Sequence, residues 1–363
     1  MSCPDCFTGT VHEGTPVGHV ETIHGLPTYV AGTTSETEPE AIIVIISDAF
    51  GWDLPNSRIL ADAYAKRGTY TVYLPDFMDG NLMPLDPTHP AMADARHAGH
   101  CLPHDLLQDI SIVTNPGSSS YLGQAIAIFR TAIHFLPWLV FTRSSVTEPR
   151  IISFFSALRT STNLPIGAAG FCWGGRIVTG FCDGRTAPNG QPLIDAGFAA
   201  HPSNLAVPRA IEPLKVPYSV CIGDVDHGMP IEQVRNLENL LKGLRNMEGK
   251  WELVVVEGAR HGFAVRGDPR HEKEAKQVSD HLESCSETSS RLHVFTCRLS
   301  KMTDSIRISL VPAGWRPGGG VVRQVAEERR RLWSGMWPAC AEWSTSLMGS
   351  KSCAVTLNNG FPT

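Results

Sequence analysis

The sequence predicts an α/β fold: a mostly parallel sheet flanked by helices, with a helical, lid-like insertion. Three observations carry this. Six short apolar runs have the composition of strands buried on both faces, and helix-like segments separate them. More than eighty residues intervene between "PDFMDG" and "LPIGAAG", too many for one simple crossover. Strands alternating with helices imply parallel pairing through right-handed crossovers.

In order along the chain, "AIIVIIS" (41–47) opens the parallel part of the sheet. "NSRILADAYAKRG" (56–68) follows as a helix between an Asn cap and a Gly stop, and "YTVYLP" (70–75) is the next strand. The insertion covers about 84–160. It contains the His- and Pro-rich "THPAMADARHAGHCLPHD" and the apolar "AIHFLPWLVF" (132–141). The apolar segment falls well short of the roughly 20 residues that span a bilayer, so it reads as a buried helix or a cap over the sheet. "LPIGAAGF" (164–171), "DAGFAAH" (195–201), "YSVCIGD" (218–224) and "WELVVVE" (251–257) supply the remaining strands. "IEQVRNLENLLKGLRN" (231–246) has apolar residues at helical spacing. Residues 1–282 therefore read as one domain. Beyond it, 283–363 shows neither strand alternation nor a sustained amphipathic helix, and is expected to be an appended, poorly ordered tail.

Charge and cysteine usage narrow the function classes. The net charge is −5 over 363 residues, with 42% hydrophobic content, which describes a globular protein whose main partner is not nucleic acid. The excess is uneven: from Ser286 onward, ten Lys/Arg stand against five Asp/Glu, so the rest of the chain holds −10. "MSCPDCFTGTVHEG" shows neither a basic nor an apolar signal region, and the ten cysteines have no framework spacing. A cytoplasmic chain with free thiols and no membrane partner is expected. Cys3 and Cys6 form a C-P-D-C pair, but no second pair completes a tetrahedral set, and they read as surface thiols. His89, His97, His100 and His104 lack clean ligand spacing. No metal and no cofactor is expected.

The chemistry centres on "GAAGFCWGGR" (167–176). Gly170, Cys172 and Gly174 have the G-x-C-x-G form of a nucleophile elbow, a sharp strand-to-helix turn that projects its central side chain above the sheet. Side chains at the glycines would meet the adjoining strand and helix. The helix beginning at Trp173 would aim its partially positive N-terminus at the sulfur and favour thiolate. The bland alternative is a structural cysteine in a glycine-rich crossover. Two further positions weigh against that. Asp226 in "GDVDH" and His261 in "GARHGF" each follow a later strand, giving the chain order nucleophile, acid, base. All three would stand at carboxyl ends of strands, where open α/β sheets bind ligands. Asp226 is preferred to Asp224, which caps or pairs locally. His227 is an exposed neighbour. His201, in "AAHPSN", either lines the pocket or makes a structural hydrogen bond.

The stretches "MSCPDCFTGT", "SDAFGW", "LPDFMDG", "GAAGFCWGGR", "IDAGFAAHPS", "GDVDH" and "GARHGFAVRGDP" resemble the dienelactone hydrolase family of α/β-hydrolases, in its fungal-type form, from the N-terminus to about residue 282. The resemblance implies an α/β-hydrolase fold and a small-molecule enol-lactone or activated-ester substrate. It implies a Cys172–His261–Asp226 triad acting through an acyl-thioester. It also implies that Asp48 manages the thiol proton, that the backbone N–H groups of Ala49 and Trp173 form an oxyanion hole, and that Trp52 belongs to the substrate pocket. Bacterial relatives place a serine after the histidine and an arginine shortly beyond it, which hold a substrate carboxylate. Here Gly262 follows His261 and Arg266 lies one position further along, so Arg266 either holds a carboxylate or makes a surface ion pair. The helix begun at "EKEAKQVSDHL" departs from the fungal pattern at "ESCSETSSRLHVF". Two rivals stand beside this reading. One is a non-catalytic hydrolase fold used for ligand binding or as a scaffold. The other is a class I amidotransferase or DJ-1-like cysteine enzyme, which "GDVDH" ahead of "GARHGF" disfavours. Oligomeric state is open.

Overall fold

A computed structural model describes residues 12, 14–32, 38–83, 112–113, 120–267, 273–274 and 276–277. The chain divides into two units, Met1–Thr303 and Asp304–Thr363, and every described residue belongs to the first. Cys3 and Cys6, the His-rich segment and the 283–363 stretch lie outside the described residues.

The described chain enters through a hairpin that the apolar pattern does not announce, β1 (His19–Ile23) and β2 (Leu26–Ala31). Ile23 pairs with Leu26 across a two-residue turn, His24-Gly25. Both turn residues have positive φ, 47° and 84°, which suits the right-handed twist of the flanking strands. The six expected strands follow as β3 (Ala41–Ile46), β4 (Tyr70–Pro75), β5 (Ile166–Phe171), β6 (Ala196–Ala200), β7 (Tyr218–Gly223) and β8 (Trp251–Val256). They form one sheet in the order β1-β2-β4-β3-β5-β6-β7-β8. The β1–β2 and β2–β4 pairs are antiparallel and the rest are parallel.

Side-chain alternation divides the core between the two faces of the sheet. From β3, Ile42, Val44 and Ile46 enter one apolar cluster while Ile43 and Ile45 enter the other. This is why the central strands read as unbroken apolar runs.

Helices cover both faces. Helix α1 (Pro55–Arg67) starts one residue earlier than expected, and Asn56 is not its cap. Pro55, with its preset φ, occupies the first turn instead. Asn56 is buried inside the helix and donates its side-chain amide to the Val265 carbonyl at 2.8 Å. Helix α2 (Tyr121–Phe141) and helix α3 (Ser144–Ser161) occupy the described end of the 84–160 stretch. Helix α3 is a core crossover: Ile151, Phe154, Phe155 and Leu158 are buried at helical spacing. Of the two readings of "AIHFLPWLVF", a buried helix or a cap over the sheet, helix α2 does not fit the first. It is helical, but Ile133, Leu136, Leu139, Val140 and Phe141 are exposed, while Trp138 packs against both core clusters. Among the described residues, no helix is long and apolar enough to cross a membrane. Helix α4 (Trp173–Phe181) follows β5 directly. Helix α5 (Ile231–Gly243) buries Val234, Leu237 and Leu241 and gives way to a short 3-10 turn, Arg245–Met247, earlier than its sequence pattern suggests. A last short helix, α6 (Phe263–Arg266), follows β8.

Candidate active site

Backbone sterics build the turn after β5. Cys172 sits at φ 51°, ψ −109°, a conformation that a non-glycine residue holds only when its surroundings enforce it. The enforcement is visible. Cys172 N–H donates to the Ala200 carbonyl at 3.1 Å, Gly174 N–H to Ser47 at 3.2 Å, and the Cys172 carbonyl accepts from Ser203 N–H at 2.9 Å. A Cβ on Gly174 would collide with the Ile46 carbonyl, and one on Gly170 with the Gly174 carbonyl, so strand and helix approach only because both positions are bare. Cys172 is thereby fixed at the N-terminus of α4, where unpaired helix N–H groups favour negative charge. The opposite end of the same helix offers a contrast: burial pushes the Cys182 thiol far up, away from ionisation.

Asp226 and His261 reach the same region from the loops after β7 and β8. Nδ1 of His261 donates to the two Asp226 carboxylate oxygens at 2.9 and 3.0 Å, with both side chains fully buried. Asp226 also accepts from Gly228 N–H at 2.7 Å, which holds the carboxylate in its loop. Burial alone would lower the His261 pKa, but hydrogen bonds and charge from Asp226 and Cys172 outweigh it and push it up to about 10. Asp224 accepts from Gly258 N–H, a local loop contact, and His227 is exposed.

Asp48 is fully buried after β3. Its Oδ1 accepts from Phe50 N–H at 3.0 Å, and its Oδ2 lies 3.5 Å from Nη1 of Arg266. Burial pushes its pKa up to about 6; the Arg266 charge opposes this and the Cys172 charge adds to it. Arg266 is itself buried, with its guanidinium 4.6 Å above the Phe50 ring. The surface ion pair that the sequence allowed for Arg266 is thus a buried one. Gly262 explains the missing serine: its φ is 89°, and any Cβ there would strike the Arg266 guanidinium.

A cavity of about 270 Å³ opens over Cys172. Ala49 and Trp173, the two expected oxyanion donors, line it together with Cys172. Helix α2 contributes Trp138 and Leu139, and Arg143 and Arg176 bring positive charge. Trp52, His201 and Arg266 are not among the residues lining this cavity. Trp52 instead lies under the Arg58 guanidinium at 4.9 Å. His201 is wholly buried, its ring edge-on to His261 at 5.0 Å and packed near Phe171 and Phe263.

Ser203 escaped the sequence reading. Its Oγ lies 2.9 Å from Cys172 Sγ and 3.3 Å from His261 Nε2. The signal was present in "AAHPSN", two residues beyond His201 at the same carboxyl edge of the sheet. Arg176, one helical turn after Cys172, could have been found from its i+4 spacing on the elbow helix. Among the described residues, no group of three or more His, Cys, Asp or Glu side chains could hold a metal ion.

A mostly parallel sheet in this strand order, with a strained elbow after β5 and an acid and a histidine after the last two strands, has the architecture of the α/β-hydrolase fold. Comparison with known proteins narrows the class. The family model of the dienelactone hydrolase family matches residues 123–288. It is similar to the hydrolase pyvD of Aspergillus violaceofuscus, 25% identical over 264 residues, covering 72% of this chain and 85% of that protein. The carboxymethylenebutenolidase homolog of Mus musculus is 26% identical over 269 residues, covering 73% and 86%. A solved structure described as a putative dienelactone hydrolase from Klebsiella pneumoniae superposes with a TM-score of 0.47 at 17% identity, covering 75% of this chain and 98% of that one.

Proposed function

We propose that the protein hydrolyses a small enol-lactone or activated ester, with Cys172 as nucleophile, His261 as general base and acid, and Asp226 as the group that orients and stabilises the imidazolium. One observation carries this reading: a cysteine held in a strained elbow at a helix N-terminus, on the floor of a cavity, beside a buried His–Asp pair. The Cys172 proton passes to His261 and the thiolate attacks the carbonyl carbon. The oxyanion then develops toward the backbone N–H groups of Ala49 and Trp173. Collapse expels the enolate or activated alcohol, which takes a proton from His261, and leaves an acyl-thioester. His261 next takes a proton from water, the hydroxide attacks the thioester, and the acid departs as the thiol is restored. An enolate is a good leaving group and suits a sulfur nucleophile, which would itself be expelled in preference to a poor one. Asp48, buried near the sulfur, influences the thiol proton by its charge, and Arg176 with Arg143 favours substrates that carry a carboxylate.

The test is turnover of an enol-lactone and an activated aryl ester, with intact-protein mass spectrometry of the quenched reaction. The expected result is an acyl adduct on Cys172 and a loss of at least about 10³-fold in kcat/KM in Cys172→Ala, on the scale of removing a triad member. Unchanged turnover in a folded Cys172→Ala variant would remove the proposed nucleophile.

A further inference from the structure

We propose that Ser203 is a positioning residue for the thiol, a hydroxyl that seats Cys172 against His261 beside their direct hydrogen bond and offers its proton a second path; this rests on the mechanism proposed above. A serine hydroxyl has one proton to donate and two lone pairs to accept with. Ser203 Oγ stands 2.9 Å from Sγ and 3.3 Å from Nε2, so one hydroxyl serves both reacting groups at once.

The segment carrying it is held firmly. Ser203 N–H donates to the Cys172 carbonyl at 2.9 Å, tying the loop to the elbow, and His201 N–H donates to Cys221 at 2.8 Å. Pro202 closes on α4 at Gly175, where a Cβ would come within 3.1 Å of the proline. His201 and Asn204, on either side of this Pro-Ser pair, hold φ of 38° and 51°. Left-handed conformations at non-glycine residues cost on the order of 1–3 kcal/mol each, and they cluster where geometry matters for function. The strained pair brackets Ser203, which lines the cavity together with Asn204.

When thiol and imidazole are both neutral, Sγ–H donates to Oγ and Oγ–H donates to Nε2. On activation the sulfur proton moves to Oγ as the hydroxyl proton moves to Nε2. One S–H and one O–H bond break, one O–H and one N–H bond form, and the products are thiolate and imidazolium. The bridge then runs in reverse: Nε2–H donates to Oγ and Oγ–H to the thiolate, a charge-assisted bond that stabilises the nucleophile. The raised His261 pKa, held up by Asp226 and Cys172, agrees with this ion pair.

The test is the pH dependence of iodoacetamide alkylation at Cys172, resolved by peptide mass spectrometry, in the wild type, Ser203→Ala and Ser203→Thr. It is paired with kcat/KM on the activated ester and with melting temperatures. Asp48, His201, Asp226, His261, Arg143 and Arg176, the titratable and charged groups around the site, are retained in both variants. Losing a hydrogen bond to a charged group corresponds to roughly a 10- to 100-fold loss. The expected result is therefore an upward move of the alkylation midpoint by about one pH unit and a roughly 10- to 100-fold fall in kcat/KM in Ser203→Ala. Ser203→Thr, which keeps the hydroxyl, restores most of both. A folded Ser203→Ala variant with the wild-type midpoint and turnover overturns the bridge while leaving the Cys172 mechanism standing. Turnover that survives Cys172→Ala but vanishes in Ser203→Ala overturns both, and makes Ser203 the nucleophile of a Ser–His–Asp arrangement.

Discussion

Asp48 is the carboxylate most sensitive to its surroundings in the site. Burial lifts its pKa to about 6, with the Arg266 charge opposing and the nearby Cys172 charge assisting the rise. Above that value it is an anion paired with Arg266, and below it the pair is neutralised on one side. The kcat/KM profile of the free enzyme should accordingly show an acid limb near pH 6. Asp48→Asn should flatten that limb and lower the plateau, as measured by kcat/KM between pH 4.5 and 8. A limb that persists unchanged in the variant belongs to another group.

At the scale of elements, α3 joins the insertion to the core. Phe155 is fully buried, stacked at 6.5 Å on Phe77 and 5.7 Å from Phe181 of the elbow helix. It therefore ties the crossover to the helix that begins at Cys172. Phe155→Ala removes those contacts and leaves a void, at a cost of about 3–5 kcal/mol, which urea unfolding should register as a lowered midpoint with unchanged slope. Helix α2 contrasts with it, since its outward side chains are large, apolar and exposed. Local pattern announced α2 as a helix, but burial is decided by what packs against it.

The same distinction explains what was legible in the sequence. Strands β3 to β7 and the elbow could be read because they are largely buried on both faces, β8 could be read from its apolar run although it is mostly half-buried, and the chain order of Cys172, Asp226 and His261 is a property of the fold. The β1–β2 hairpin could not be read from apolar runs, because "HVETI" lies exposed at the sheet edge and Pro27 disfavours a strand. Its only signal is the His24-Gly25 turn. Asn56 misled because its amide is committed to Val265, 209 residues away, and no local rule sees that distance. Ser203 was missed for a similar reason, since its importance arises only when the loops after β5, β6 and β8 converge.

Whole-molecule stability should carry the signature of the buried His–Asp pair. His261 has its folded pKa raised to about 10 from an ordinary 6.5, so folding takes up a proton between those values. Its contribution is fully present below pH 6.5 and is lost as pH rises through about 10. The difference in unfolding free energy between the wild type and His261→Gln should be largest below pH 6.5 and shrink steadily toward pH 10. A difference that is flat across this window would show that His261 is not held as the cation.

The contact between Gly262 and Arg266 bears on how such a site can change over evolutionary time. The guanidinium occupies the space that any side chain at 262 would need, and it is also the partner of Asp48. A serine could arise at 262 only by displacing the arginine, and so would disturb the Asp48 carboxylate in the loop after β3. The three positions are therefore bound in epistasis. Substitutions tolerated together in one lineage would be disabling when introduced one at a time in another, and transplanting a single residue between relatives would give a misleading account of what it does.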